Sequence, residues 1–148
     1  MGAIDLLRGL VVYFDTNIII YIVEGYPAQR LVLRDLLRAL DDGLFRALTS
    51  ELTLAQVLVG PFRAPNPLYE MTYSAMLSGR EQVEVVPVVR SILVDAARFR
   101  VESGMRLPDA IHIATAQRHG CDVFLTNDHR LWTPASLTVV TLAELAQP

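Results

Sequence analysis

The chain has 148 residues, 52% of them hydrophobic and 20% charged, which fits one globular domain and excludes a disordered tract, a solenoid or a low-complexity array. Its net charge of −3, with 13 arginines and no lysine, leaves no general basic surface, so any nucleic acid must be met at a local site, through a metal ion or in a dimeric groove. The single cysteine, Cys121, excludes an intramolecular disulfide and, with three scattered histidines, a thiolate-rich zinc site.

From the N-terminus, Asp5 and Arg8 lie among apolar residues without the pattern of a secretory leader, and the apolar run Ile18 to Val23 is far shorter than the roughly 20 residues of a membrane span. A cytoplasmic protein is expected. Leu10 to Phe14 is a continuous apolar run suited to a strand buried on both faces, and Asp15 ends it, either capping a helix that begins near Asn17 or presenting its carboxylate at the strand's end. Leu31 to Leu40 has helical spacing, with Arg30, Arg34 and Arg38 forming a solvated row. Asp41, Asp42 and Gly43 stop that helix, and Leu44 to Leu48 predicts a second strand. Thr49 and Ser50 cap a helix from Glu51 that Pro61 is expected to end.

After Pro65 and Pro67 a helix is predicted from Leu68 to Leu77, stopping at Gly79, then a strand over Val83 to Val86. Val88 to Val101 reads as a helix ended by Gly104, and Pro108 opens another that reaches His119 and stops at Gly120. Cys121 reads as a small buried residue before a fourth strand, Val123 to Leu125, and Val139 to Thr141 makes a fifth. Short apolar strands alternating with helices predict an α/β fold with a parallel sheet flanked by helices, in which ligands gather outside the strands' carboxyl ends.

Asp15 directly follows one strand and Asp128 follows Leu125 by three residues, so a parallel sheet brings both to one edge. Asp109 falls in the first turn of the helix opened by Pro108, where the helix dipole favours a carboxylate. Two unit charges about 5 Å apart repel by roughly 3 kcal/mol at an effective dielectric near 20, so three converging carboxylates call for a cation. Oxygen-only ligands suit Mg²⁺ or Mn²⁺ rather than zinc. The plainer readings are dipole complementation for Asp109 and a turn residue for Asp128.

The segments FDTN (Phe14 to Asn17), TSELTLAQVLVGP (Thr49 to Pro61), LPDAIHIATA (Leu107 to Ala116) and FLTND (Phe124 to Asp128) resemble, in order, the successive motifs of PIN domains, especially those of the VapC toxins of VapBC toxin-antitoxin pairs. The likeness spans residues 10 to 142, and residues 1–148 are expected to form a single PIN domain. It implies a three-layer α/β/α sandwich around a parallel sheet of about five strands, and an acidic quartet holding Mg²⁺ or Mn²⁺. It further implies an endoribonuclease that cuts single-stranded RNA with a 3′ bridging oxygen as leaving group, a homodimer, and a VapB-like antitoxin whose C-terminal segment blocks the site.

Carried over by position, the first, third and fourth acids are Asp15, Asp109 and Asp128, while Gln56 stands where the family has glutamate. Glu51 cannot replace it, because five helical residues separate the two by about 140° and about 7.5 Å. Gln56 can offer a carbonyl oxygen but neither charge nor a base, so weaker metal binding and slower turnover are expected. Thr16, Asn17, Ser50 and Thr126 are second-tier candidates for orienting an acid or meeting phosphate; capping and turn formation are their alternative roles. His112, one turn from Asp109, reads as structural rather than as an acid or base, and Arg106, His129 and Arg130 flank the acids as candidate RNA contacts or plain surface charge.

Three functions compete: an active metal-dependent endoribonuclease; a PIN module impaired by Gln56 that binds RNA or a protein partner; and a flap-type DNA nuclease, which would need long insertions and a basic surface that this chain lacks.

Overall fold

The computed structural model describes residues 2–78, 82–128 and 130–147. Five strands, β1 (Val11–Phe14), β2 (Arg46–Ser50), β3 (Val83–Val86), β4 (Val123–Thr126) and β5 (Thr138–Thr141), form one sheet in the order β3-β2-β1-β4-β5, and every neighbouring pair is parallel. Parallel neighbours need crossovers, which α1 (Thr16–Glu24) and α2 (Arg30–Asp41) supply between β1 and β2. Helices α3 (Glu51–Arg63) and α4 (Pro67–Met76) do so between β2 and β3, and α5 (Arg90–Ser103) and α6 (Leu107–Arg118) between β3 and β4. The β4–β5 link has no helix among the described residues; Leu131, Trp132 and Leu137 from it cover the sheet instead, with Trp132 tilted against Phe99 at 5.2 Å.

Strand alternation divides the core. Val12, Phe14 and Leu125 point into the larger cluster, shared with α1 to α4 and with α7 (Leu142–Leu145), while Tyr13, Leu48 and Phe124 point the other way onto α6. A run such as Val-Val-Tyr-Phe is therefore apolar throughout because both faces are covered. The expected three-layer α/β/α sandwich with a five-stranded parallel sheet is what the chain forms. Arg30, Arg34 and Arg38 lie exposed along α2, Cys121 is buried ahead of β4, and no helix among the described residues is long and apolar enough to cross a membrane.

Three local expectations need correction. Pro61 does not end α3 but lies buried in its last turn: its fixed φ suits a helix, the ring costs one ladder donor, and only two helical residues follow. Strand β2 lies two residues further on than the apolar pattern placed it, because Thr49 and Ser50 pair with β3 while buried. Helix α5 starts at Arg90, not Val88, since Val89 is extended and caps it. The α4 stop assigned to Gly79 lies outside the described residues; the helix itself closes at Met76.

Candidate active site

β1 and β4 are neighbours at the centre of the sheet, and the chain leaves β1 toward β2 on one side while β4 leads to β5 on the other. Their carboxyl ends therefore open the crevice where parallel sheets hold ligands. Asp15 stands there, 8% exposed, as the extended N-cap of α1. Its main-chain N–H donates to the Leu125 carbonyl at 3.0 Å, which prolongs the strand pairing by one residue. Both carboxylate oxygens are engaged: Oδ1 accepts the Thr16 N–H at 2.8 Å, and Oδ2 accepts the Thr126 hydroxyl at 2.7 Å and the Asn17 amide at 3.5 Å. Capping and site geometry are thus one arrangement.

Thr126, buried at the end of β4, links the crevice. Besides donating to Asp15, its hydroxyl accepts the Asn17 side-chain amide at 3.3 Å and the Asp128 N–H at 3.1 Å. Asp128 is held more loosely: Oδ1 accepts the Arg130 N–H at 3.0 Å, and the Arg130 guanidinium lies 3.9 Å away with its side chain 93% exposed. Asp109, in the first turn of α6, is half-buried with Arg106 Nε at 3.6 Å.

Burial raises the Asp15 carboxyl above its ordinary pKa; the bonds from Thr126 and Thr16 pull it back, and the charge of Asp128 adds to the rise. Burial also raises Asp109, followed by the charge of Asp15, against the lowering influence of Arg106 and His112. The acids are coupled through their fields, not by contact. Among the described residues no three Asp, Glu, His or Cys side chains are packed tightly enough to hold a metal as they stand.

Gln56 reaches the same crevice from the middle of α3. Its Oε1 lies 2.6 Å from the Thr16 hydroxyl, which donates to it, and 2.7 Å from His112 Nε2. A carbonyl oxygen only accepts, so Nε2 carries the imidazole proton and Nδ1 accepts the Tyr13 hydroxyl at 2.6 Å. His112 is 1% exposed, and burial lowers its pKa to about 4, so it stays neutral at physiological pH. It is a bridge between the core and Gln56, in keeping with a structural reading, but a bridge that ends at the site.

Sequence reasoning missed Tyr13 and Thr53. Tyr13 stacks on Phe124 at 5.1 Å with its phenol turned to His112. Thr53 shares a helix face with Gln56 one turn away, a signal the sequence did carry, and bonds Thr49 at 2.7 Å and Thr16 at 3.4 Å. Ser50 accepts the Leu52 N–H and caps α3, as its alternative role required. Arg106 and Arg130 stand exposed at the rim, and His129 lies outside the described residues.

A family model of the PIN domain matches residues 12–135. Among solved structures, the chain is similar to a toxin-antitoxin complex from Klebsiella pneumoniae, 27% identical with a TM-score of 0.67 over 90% of this chain and 98% of that one. It is also similar to VapBC2 from Rickettsia felis bound to a DNA fragment from their promoter, at 13% identity and TM-score 0.68 over 89% and 98%. A third is VapC20 of Mycobacterium tuberculosis, a sarcin-ricin loop cleaving toxin, at 17% and 0.60 over 80% and 91%. A search of curated protein sequences gives no match.

Proposed function

The chain belongs to the PIN domain family, and from that premise we propose that it is a metal-dependent endoribonuclease of the VapC type, the toxin of a toxin-antitoxin pair, attenuated by Gln56. The observation that carries this reading is the meeting of Asp15 and Asp128 through Thr126 at the β1/β4 crevice, with Asp109 facing the same field from α6. Asp15, Asp109 and Asp128 offer a hard, oxygen-only donor set, and a cation would relieve the raised carboxyl pKa values of Asp15 and Asp109, which fits Mg²⁺ or Mn²⁺. When bound, such an ion supplies positive charge to the phosphate and acidifies water.

The protein's own groups do the rest. Thr126, Asn17 and the Thr16 N–H fix both oxygens of Asp15, and Arg106, Arg130 and His129 are the candidates for meeting RNA phosphates. Thr16 and His112 orient Gln56 Oε1, but a carboxamide has no charge and no basic site, so proton removal falls short of what glutamate would provide. We assign single-stranded or structured RNA as substrate, a homodimer of single PIN domains as the unit, the cytoplasm as its place, and a VapB-like antitoxin as partner; the similar Klebsiella structure is a toxin-antitoxin complex.

A second reading, a PIN module that binds RNA or a protein without cutting, is favoured by one observation: Gln56 Oε1 is already doubly engaged inside the protein. Cleavage of a mixed single-stranded RNA pool with Mn²⁺ by the parent chain, Gln56→Glu and Asp15→Asn separates the two. Cleavage that rises in Gln56→Glu and vanishes in Asp15→Asn supports the nuclease; folded proteins with no cleavage in any of the three leave the binding module.

A further inference from the structure

Beside the acids lies an open cleft of about 380 Å³, bounded by Asn17, Tyr21, Asn127, Asp128 and Arg130. Asn17 and Tyr21 are four residues apart on α1 and so share a helix face, which makes the cleft a continuation of the Asp15 site along that helix. Its volume falls within the roughly 300–1,000 Å³ of small-molecule sites, near the lower end, enough for a single nucleotide.

The lining is unevenly satisfied. Asn127 is fixed by its backbone N–H, which donates to Asn17 Oδ1 at 3.3 Å, and its Nδ2 makes only a long contact of 3.4 Å to the Tyr21 hydroxyl. Its Oδ1 accepts nothing from the described residues. Asn127 itself is half-buried at the edge of the cleft. The Tyr21 ring is braced edge-on by Tyr26, with centroids 4.2 Å apart, and gives the cleft a fixed aromatic wall. At the open end the Arg130 backbone N–H is bonded to Asp128 at 3.0 Å, but its guanidinium lies 3.9 Å from that carboxylate.

An aromatic wall, a carboxamide able to donate and accept side by side, and a loosely held guanidinium match the three parts of a nucleotide: π-face, base edge and phosphate. We infer that this cleft is a base-binding subsite holding the nucleotide next to the one cut, with the base against Tyr21, its edge on the Asn127 carboxamide and its phosphate toward Arg130. The inference rests on the endoribonuclease reading and adds where that enzyme grips its substrate.

The test titrates the parent chain with the four nucleoside 5′-monophosphates, with ribose 5-phosphate and inorganic phosphate as base-free controls, and follows backbone amide shifts. Saturable shifts at Asn17, Tyr21, Asn127 and Arg130, with at least one nucleotide binding about tenfold tighter than ribose 5-phosphate, are expected. Asn127→Ala should remove that advantage without altering the fold's amide pattern elsewhere. Equal binding of nucleotides and ribose 5-phosphate, or an unchanged preference in Asn127→Ala, overturns the subsite. In a Gln56→Glu background that cuts RNA, Asn127→Ala should raise KM about tenfold with kcat little changed. Cleavage with an unmoved KM sinks the subsite alone, whereas absence of cleavage in Gln56→Glu sinks the enzyme reading on which it stands.

Discussion

Asp15 and the pair Asp109 and Asp128 carry the same chemical group yet are held in opposite ways. Asp15 is buried, caps a helix and has both oxygens bonded by residues from β4 and α1. Asp109 and Asp128 are half-exposed on the rim, each beside an exposed arginine at 3.6 and 3.9 Å. The interior acid is placed by the fold at the cost of burying a charge, while the rim acids remain free to adjust to whatever enters. A site built this way has one fixed carboxylate and two adaptable ones.

The sharpest way to break that contrast is to neutralise the interior acid. Asp15→Asn should lower RNA cleavage at least about a hundredfold while raising the melting temperature at neutral pH, because a carboxyl whose folded pKa is raised destabilises the fold once ionised. The sign follows from proton linkage: Asp15 favours folding below its unfolded pKa and loses that contribution as pH rises through the folded one, so the melting-temperature gain should shrink toward acid pH. Calorimetry across pH, beside the cleavage assay, checks both halves. A fall in stability at neutral pH would mean that the cap outweighs the buried charge.

Gln56→Glu comes next. It should raise cleavage about 10²-fold, since the same two donors would hold a carboxylate able to take a proton, and single-turnover rates measure it. His112 offers a third test, on stability. Its folded pKa of about 4 lies below the ordinary 6.5, so its contribution is complete above pH 6.5 and is lost as pH falls toward 4, by roughly 3 kcal/mol in all. Urea titrations should show that slope in the parent chain and a flatter one in His112→Gln. The smallest effect belongs to the rim: Arg106→Ala should leave stability within about 0.5 kcal/mol while the Asp109 carboxyl pKa, followed by NMR, moves further up.

The same contrast governs what could be read from the chain itself. Asp15 and Thr126 were legible because each sits where an apolar strand stops, and stopping points are local. The parallel sheet was legible from alternating elements, and α5's end from Gly104, which adopts the left-handed conformation its position requires. The Tyr13–His112 bridge was not, because its two halves lie 99 residues apart and each alone resembles core. Periodicity could not place Thr49 and Ser50 in β2: the buried Thr49 hydroxyl is satisfied by the Phe14 carbonyl 35 residues away, and Ser50 both ends the strand and caps α3. Helix α7 was passed over although Thr141 and Glu144 form a capping box whose spacing is written in the sequence.

The bond from Thr126 to Asp15 spans 111 residues of a 148-residue chain. The strand that bears Asp15 is made well before the strand that completes its surroundings. Until β4 emerges and slots beside β1, the first acid has neither its hydroxyl partner nor Asp128, and the crevice has only one wall. A chain arrested or cut before that point holds a carboxylate but no site, so the delay inherent in a long-range parallel pairing also sets when in its own making the protein can first act.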